Sequence, residues 1–206
     1  MQTSPKAFLI LISLLSCCAC RTPGVEWQSR KGDAGCFQRF VPKFSTQWYK
    51  ASVDVTGRHL SGLLVLKTIS DSTTRTVFTN EAGTTFFDFE FSPGTVKTNF
   101  ALPQLNKGAV IKTLQNDLSL VLMKDLPAGE LQTDKPRTRL KINRGKKTVY
   151  IYSDDGCSQL DRIEEEWGGK RRVEAKVFGQ PGLAPDSIKI KHFNFAMEID
   201  LRKLIQ

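Results

Sequence analysis

Few side chains in this sequence are of types that do chemistry, and their spacing limits what they can do. Five cysteines stand at positions 17, 18, 20, 36 and 157, and two histidines at 59 and 192. Cys17-Cys18-Ala19-Cys20 has no second ligand cluster at zinc-like spacing, so it reads as no metal site. Neither His59 nor His192 has a partner spaced for metal binding. Asp154-Asp155 and Glu164-Glu165-Glu166 fall at turn-like or exposed positions. Catalytic carboxylates need a cleft that perturbs their pKa values, and the sequence around these offers none. No G-x-S-x-G and no Gly-rich phosphate loop occurs. The expectation is a binding protein, not an enzyme, with no catalytic residue and no cofactor.

Two cysteines do offer a covalent function. Cys36 and Cys157 each follow a glycine, which puts both at turns. In an oxidising compartment they are a possible disulfide. That bridge would close a loop of about 120 residues and contribute about 4–5 kcal/mol in the chain-entropy model. Cys18 and Cys20 are competing partners, and two unpaired buried thiols are the other reading.

The remaining cysteines end an apolar run. Lys6 is followed by Ala7-Phe8-Leu9-Ile10-Leu11-Ile12-Ser13-Leu14-Leu15. A membrane span needs about 20 apolar residues, and this run is far shorter. A basic start, a short apolar core and a small residue before the break are the layout of a secretory signal peptide. Leu14-Leu15-Ser16-Cys17 resembles the bacterial lipobox, and Cys20 after Ala19 is an alternative. That resemblance implies a diacylglycerol on the Cys17 thiol and anchoring by several acyl chains, which hold durably where one does not. No acidic residue follows Cys17 directly, which in such lipoproteins implies an outer-membrane address. The expected division is a signal peptide over 1–16, an acylated tether over 17–35 and one domain over 36–206.

The formal net charge is +9. A basic balance often marks a nucleic-acid binder, but an exported protein rarely meets nucleic acid. Anionic headgroups or an acidic protein are the better partners.

Periodicity sets the fold class. Phe37, Phe40, Val41 and Phe44 recur at helical spacing, and Pro42 limits that helix. The period then becomes two: "WYKASVDV", "LSGLLVLKTI", "TRTVFTN", "TTFFDFEF" and "TVKTNF" read as strands joined by tight turns. From Leu105 to Leu122 a single apolar stripe at the 3.6 period marks one helix. Strands resume over 137–143, 147–153, 158–166, 170–178, 186–192 and 194–202, with a change of phase near His192. About eleven antiparallel strands cannot stay flat. The expected fold is therefore mostly β: a curled half-barrel sheet with one main helix packed on, or lidding, its concave face.

The segment "RTVFTNEAGTTFFDFEFSPGTVK" (75–97) resembles the strand–loop–strand of LolB, the outer-membrane lipoprotein that receives lipoproteins from the carrier LolA. Shared features are the arginine-bearing strand, Thr79-Asn80, Gly83-x-Thr85, and Pro93-Gly94 with Val96. The helix that follows and the closing "PDSIKIK" keep the same order. The resemblance covers residues 46–126 and 180–203. It implies a half-open barrel with an apolar cavity, and a role in lipid or lipoprotein trafficking. In LolB a loop leucine assists delivery to the membrane; the matching loop here carries Ala82.

Two surfaces follow. Leu64, Leu66, Phe87, Phe89, Phe91 and Phe195 are the candidate ligand cavity, in a chain with 13 phenylalanines. Arg137, Arg139 and Lys141 on one strand, with Lys189 and Lys191 on another, are a candidate basic surface for anionic headgroups if the two strands adjoin. The expected function is binding of a lipid or lipidated ligand by a membrane-anchored lipoprotein in the cell envelope, facing the periplasm, with a periplasmic carrier or envelope complex as partner. The alternative is an accessory envelope lipoprotein acting through protein–protein contacts.

Overall fold

The computed structural model describes residues 26–30, 34–123, 126 and 128–205. Cys17, Cys18 and Cys20 lie outside the described residues. Chain order is β1 (Gln28–Ser29), a 3-10 helix (Ala34–Phe40), β2 (Thr46–Val55), β3 (Arg58–Ser70), β4 (Thr73–Thr79), β5 (Thr85–Ser92) and β6 (Thr95–Ala101). The helix α1 (Gly108–Leu122) comes next. It is followed by β7 (Glu130–Asp134), β8 (Arg137–Arg144), β9 (Lys147–Asp154), β10 (Leu160–Trp167), β11 (Lys170–Phe178), β12 (Ser187–His192) and β13 (Met197–Lys203).

All the strands belong to one antiparallel sheet in the order β1-β7-β8-β9-β10-β11-β12-β13-β2-β3-β4-β5-β6. Two hairpin meanders, β2–β6 and β7–β13, are joined where β13 pairs with β2, Leu201 opposite Ala51. The ends, β1 and β6, do not meet, so the sheet is curled but not closed. This is the half-open architecture expected above, with thirteen strands among the described residues in place of about eleven. The two extra strands, β1 and β7, are short and polar, which hides them from an alternation test. Gln28–Ser29, inside the expected tether, forms the edge strand that pairs with Thr133 and Gln132.

The alternation seen in the sequence is the alternation of burial. Ile188, Ile190 and His192 point inward from β12, then Met197, Ile199 and Leu201 from β13. The phase reverses in the intervening turn, at 193–196. Ala175 opposes Ile190, and Ile190 opposes Ile199, so three strands bury one continuous row. The turn at Gly168-Gly169 has both residues at positive φ, 59° and 72°, the type I′ geometry that matches strand twist and that side chains resist. Gly62 has a different reason. A side chain there would collide with the Thr79 carbonyl of β4, so its absence lets β3 and β4 close up as the sheet bends.

The helix α1 lies across the concave face. Ile111, Leu114, Leu118, Val121 and Leu122 are buried on one stripe, as the 3.6 period demands. It starts at Lys107 without a side-chain cap and ends at Met123 in the left-handed conformation, whose N–H reaches the Ser119 carbonyl. In place of the amphipathic helix expected on Phe37, Phe40, Val41 and Phe44 there is a 3-10 helix at Ala34–Phe40 with Phe37 and Phe40 buried; Phe44 is buried outside it. The 3-10 helix is bound to the sheet by a Cys36–Cys157 disulfide, Cα atoms 6.1 Å apart. Phe78, Phe87, Phe89 and Phe91 form a buried aromatic wall in the core.

Candidate functional site: an apolar pocket at the open end

The helix does not fill the hollow over its whole length. Between the first two turns of α1 and the sheet lies a half-open pocket of about 340 Å³. One wall is Ala109, Val110, Thr113 and Leu114 of α1 with Leu105 of the turn before it. The opposite wall comes from the ends of four strands, with Val53 and Val55 of β2, Leu60 of β3, Phe78 of β4 and Phe87 of β5. Thr56, Phe195 and Met197 complete the rim. Only the two threonines are polar. The helical side is open because its residues are small: Ala109 and Thr113 leave space that Leu118 and Val121 fill further along.

A buried polar pair fixes this wall. His192 Nε2 and Asp117 Oδ2 are 2.9 Å apart, with side chains 4% and 1% exposed. The pair ties mid-helix to the end of β12, and the His192 ring lies 4.7 Å from that of Phe195 at the pocket rim. Burial pushes the Asp117 carboxyl above its ordinary range, against the pull of the His192 hydrogen bond and charge; Glu165 adds to the rise and Lys147 opposes it. Asp117 and His192 thus decide how α1 sits over the pocket. Neither was singled out for this in the sequence, although Asp117 breaks an otherwise apolar helix face.

Of the six residues expected to line a cavity, the structure brings Phe87 and Phe195 to the pocket. Leu64, Leu66, Phe89 and Phe91 share the inward face but do not line it; each is at most 3% exposed within the packed core. The physical reason is position along the strand. Leu66, Phe89 and Phe91 lie deeper than Phe87, whereas Leu64 is level with Phe78 and Phe87 in the register and is packed beneath them.

The candidate basic surface is corrected. β8 and β12 do not adjoin, because β9, β10 and β11 lie between them. Four strand spacings of about 4.8 Å separate them by about 19 Å. Each cation is also engaged locally. Arg137 pairs with Asp134 at 3.0 Å, Lys141 with Glu130, Lys189 with Asp200 and Lys191 with Glu198. The Arg139 guanidinium is stacked 4.1 Å from the Trp27 ring and 4.2 Å from that of Tyr150. These side chains hold the convex face together.

Four of the five carboxylates weighed for catalysis have structural partners among the described residues, Glu166 being the exception. Asp154 accepts hydrogen bonds from the backbone N–H groups of Ser158 and Gln159 at 2.6 and 2.9 Å, which hold its pKa below the ordinary range. Asp155 pairs with Arg30, Glu164 with Arg162 and Arg171, and Glu165 with Lys147. His59 is exposed and 2.7 Å from Asp54.

Neither a protein family nor a curated protein is matched by the sequence. Among solved structures, the chain is similar to a LolA superfamily protein from Nitrosomonas europaea, at 6% identity over 83% of this chain and 90% of that one, with a TM-score of 0.49. It is also similar to a putative outer membrane lipoprotein-sorting protein domain from Vibrio parahaemolyticus, at 8% identity, 82% and 87% coverage and a TM-score of 0.47. A DUF1329 family protein from Desulfovibrio piger matches at 9% identity, 82% and 87% coverage and a TM-score of 0.36.

Proposed function

We propose that this protein is an envelope lipoprotein, acylated at Cys17, whose pocket shelters one apolar tail of a lipid or lipidated protein. The observation that carries the reading is the pocket itself: a half-open hollow with eleven apolar lining residues and two threonines. An empty apolar hollow on a folded domain forgoes burial that a filled core would supply. An alkyl chain entering it gains about 0.8 kcal/mol per methylene removed from water. Its volume lies near the lower end of the range of about 300–1,000 Å³ for small-molecule sites. That favours a single chain over the several of a triacylated anchor. No covalent chemistry is required.

The test is native mass spectrometry of the purified protein beside an Ala109→Trp variant. Ala109 is exposed at the helical wall, so an indole there fills the hollow without disturbing the core. The reading expects a lipid-sized mass on the wild-type domain that the variant lacks. A bare wild-type protein that also fails to take up added fatty acid would overturn it. For the anchor, Cys17→Ala is expected to move the protein from the membrane to the soluble fraction of the envelope.

A further inference from the structure

The hairpin turns β8–β9, β10–β11, β12–β13, β2–β3 and β4–β5 follow one another along one rim of the curled sheet, because these pairs are spatial neighbours in that order. The pocket opens at this rim, where Thr56 and Phe195 belong to two of the turns. The rim has a distinct chemistry. Arg58, Arg144, Lys146 and Lys170 flank or form the tips, all exposed, and no ion pair links them to other described residues. Lys107, exposed at the start of α1, stands over the same opening. Of the acids there, Asp54 is held by His59 and Glu198 by Lys191, which leaves Glu81 and Glu166. The opposite rim is mixed: its turns carry Asp71, Asp154, Asp155 and Asp186, two of them neutralised by Arg30 and Lys203, beside the exposed Arg39, Lys43 and Lys135.

Large apolar side chains interrupt the cationic tips. Trp167, beside Gly168-Gly169-Lys170, is 52% exposed, and Phe193 is 42% exposed with the Arg171 guanidinium 4.1 Å over its ring. Aromatic rings among lysines and arginines on projecting turns suit the headgroup layer of a bilayer, where indole rings settle at the interface and cations meet anionic lipid.

We infer that this rim docks the domain on an anionic lipid surface, with the pocket mouth facing the headgroups. The inference stands on the rim alone and does not need the pocket to hold a tail.

The experiment uses the full chain with vesicles of phosphatidylcholine, alone or doped with phosphatidylglycerol, that carry brominated acyl chains. Fluorescence quenching is compared between wild type and Trp167→Phe; the part that vanishes in the variant belongs to Trp167. The inference expects Trp167 to be quenched in the anionic vesicles, and much less in the neutral ones. Each rim cation is worth about fivefold in membrane affinity. The triple variant Arg144→Glu, Lys146→Glu, Lys170→Glu is therefore expected to weaken docking by about 100-fold or more. Half-molar salt, with a Debye length of about 4 Å, should have the same direction of effect. Quenching that is absent, indifferent to phosphatidylglycerol or unchanged in the triple variant would overturn the inference. So would binding of the rim to an acidic protein with no quenching by either lipid. In vesicle co-sedimentation, a readout the added indole does not enter, the Ala109→Trp variant should dock like wild type, which separates this result from the pocket's.

Discussion

Replacing His192 by Phe keeps a ring against Phe195 but strips Asp117 of its partner. The two side chains are almost fully enclosed and 2.9 Å apart, so no solvent takes over the hydrogen bond. Breaking a buried pair from one side costs about 3–5 kcal/mol, because the desolvation of the remaining group is no longer offset. At about 2–4 °C per kcal/mol for a domain of this size, the melting temperature should fall by roughly 6–20 °C. The double variant Asp117→Leu, His192→Phe removes both polar groups and should recover most of that loss. Urea unfolding of the oxidised protein at neutral pH measures all three. The sign of the pH dependence is a further check. The folded state holds the Asp117 carboxyl above its ordinary pKa, so it binds more protons than the unfolded chain between the ordinary and the raised value. Stability from this group is thus gained on acidification through that window and lost as pH rises through it. The deficit of His192→Phe should narrow as pH falls towards about 4. A single-variant cost under about 1 kcal/mol, or a double variant as unstable as the single, would refute the claim that this pair holds α1 over the pocket.

Three other outcomes separate structural from functional residues. Phe89→Ala, at a position with no exposure, should cost about 3–5 kcal/mol, while Phe195→Ala at the half-buried rim should cost far less in urea unfolding and weaken alkyl binding instead. Gly62→Ala should destabilise by at least about 2–3 kcal/mol, because its methyl group meets the backbone of β4 rather than a yielding side chain; unfolding within 0.5 kcal/mol of wild type would contradict that close approach. Removing the disulfide in Cys36→Ser, Cys157→Ser, whose positions are 121 apart in the sequence, should cost about 4–5 kcal/mol in the same assay.

The phenylalanine alternation in β5 and the stripe of α1 announce themselves because each buries one face, and burial is what periodicity records. That is why the curled sheet with its one helix was legible from the sequence. Depth along a strand leaves no such mark. Phe87 and Phe89 are equivalent in the sequence pattern, yet one lines the pocket and the other sits in closed core. The difference is made by Ala109 and Thr113, small residues on another element that meet Phe87 only in three dimensions. Neighbourhood between strands is equally hidden. Arg139 and Lys189 have the same alternating context, but three strands lie between them, and the convex-face partners Trp27, Tyr150 and Asp200 come from other parts of the chain. The charged rim is made of turn residues, which carry no period at all. The short strands β1 and β7 lack an apolar row and became visible only as a pair.

The central claim is that the hollow beneath the first turns of α1 accepts a single alkyl chain. Isothermal titration of the protein with fatty acids of increasing length tests it most directly. One equivalent should saturate the protein, with affinity rising about fourfold for each added methylene until the chain outgrows the pocket, and Ala109→Trp should abolish the uptake. Affinity independent of chain length, or binding that survives a tryptophan at position 109, would place the alkyl chain somewhere other than this pocket.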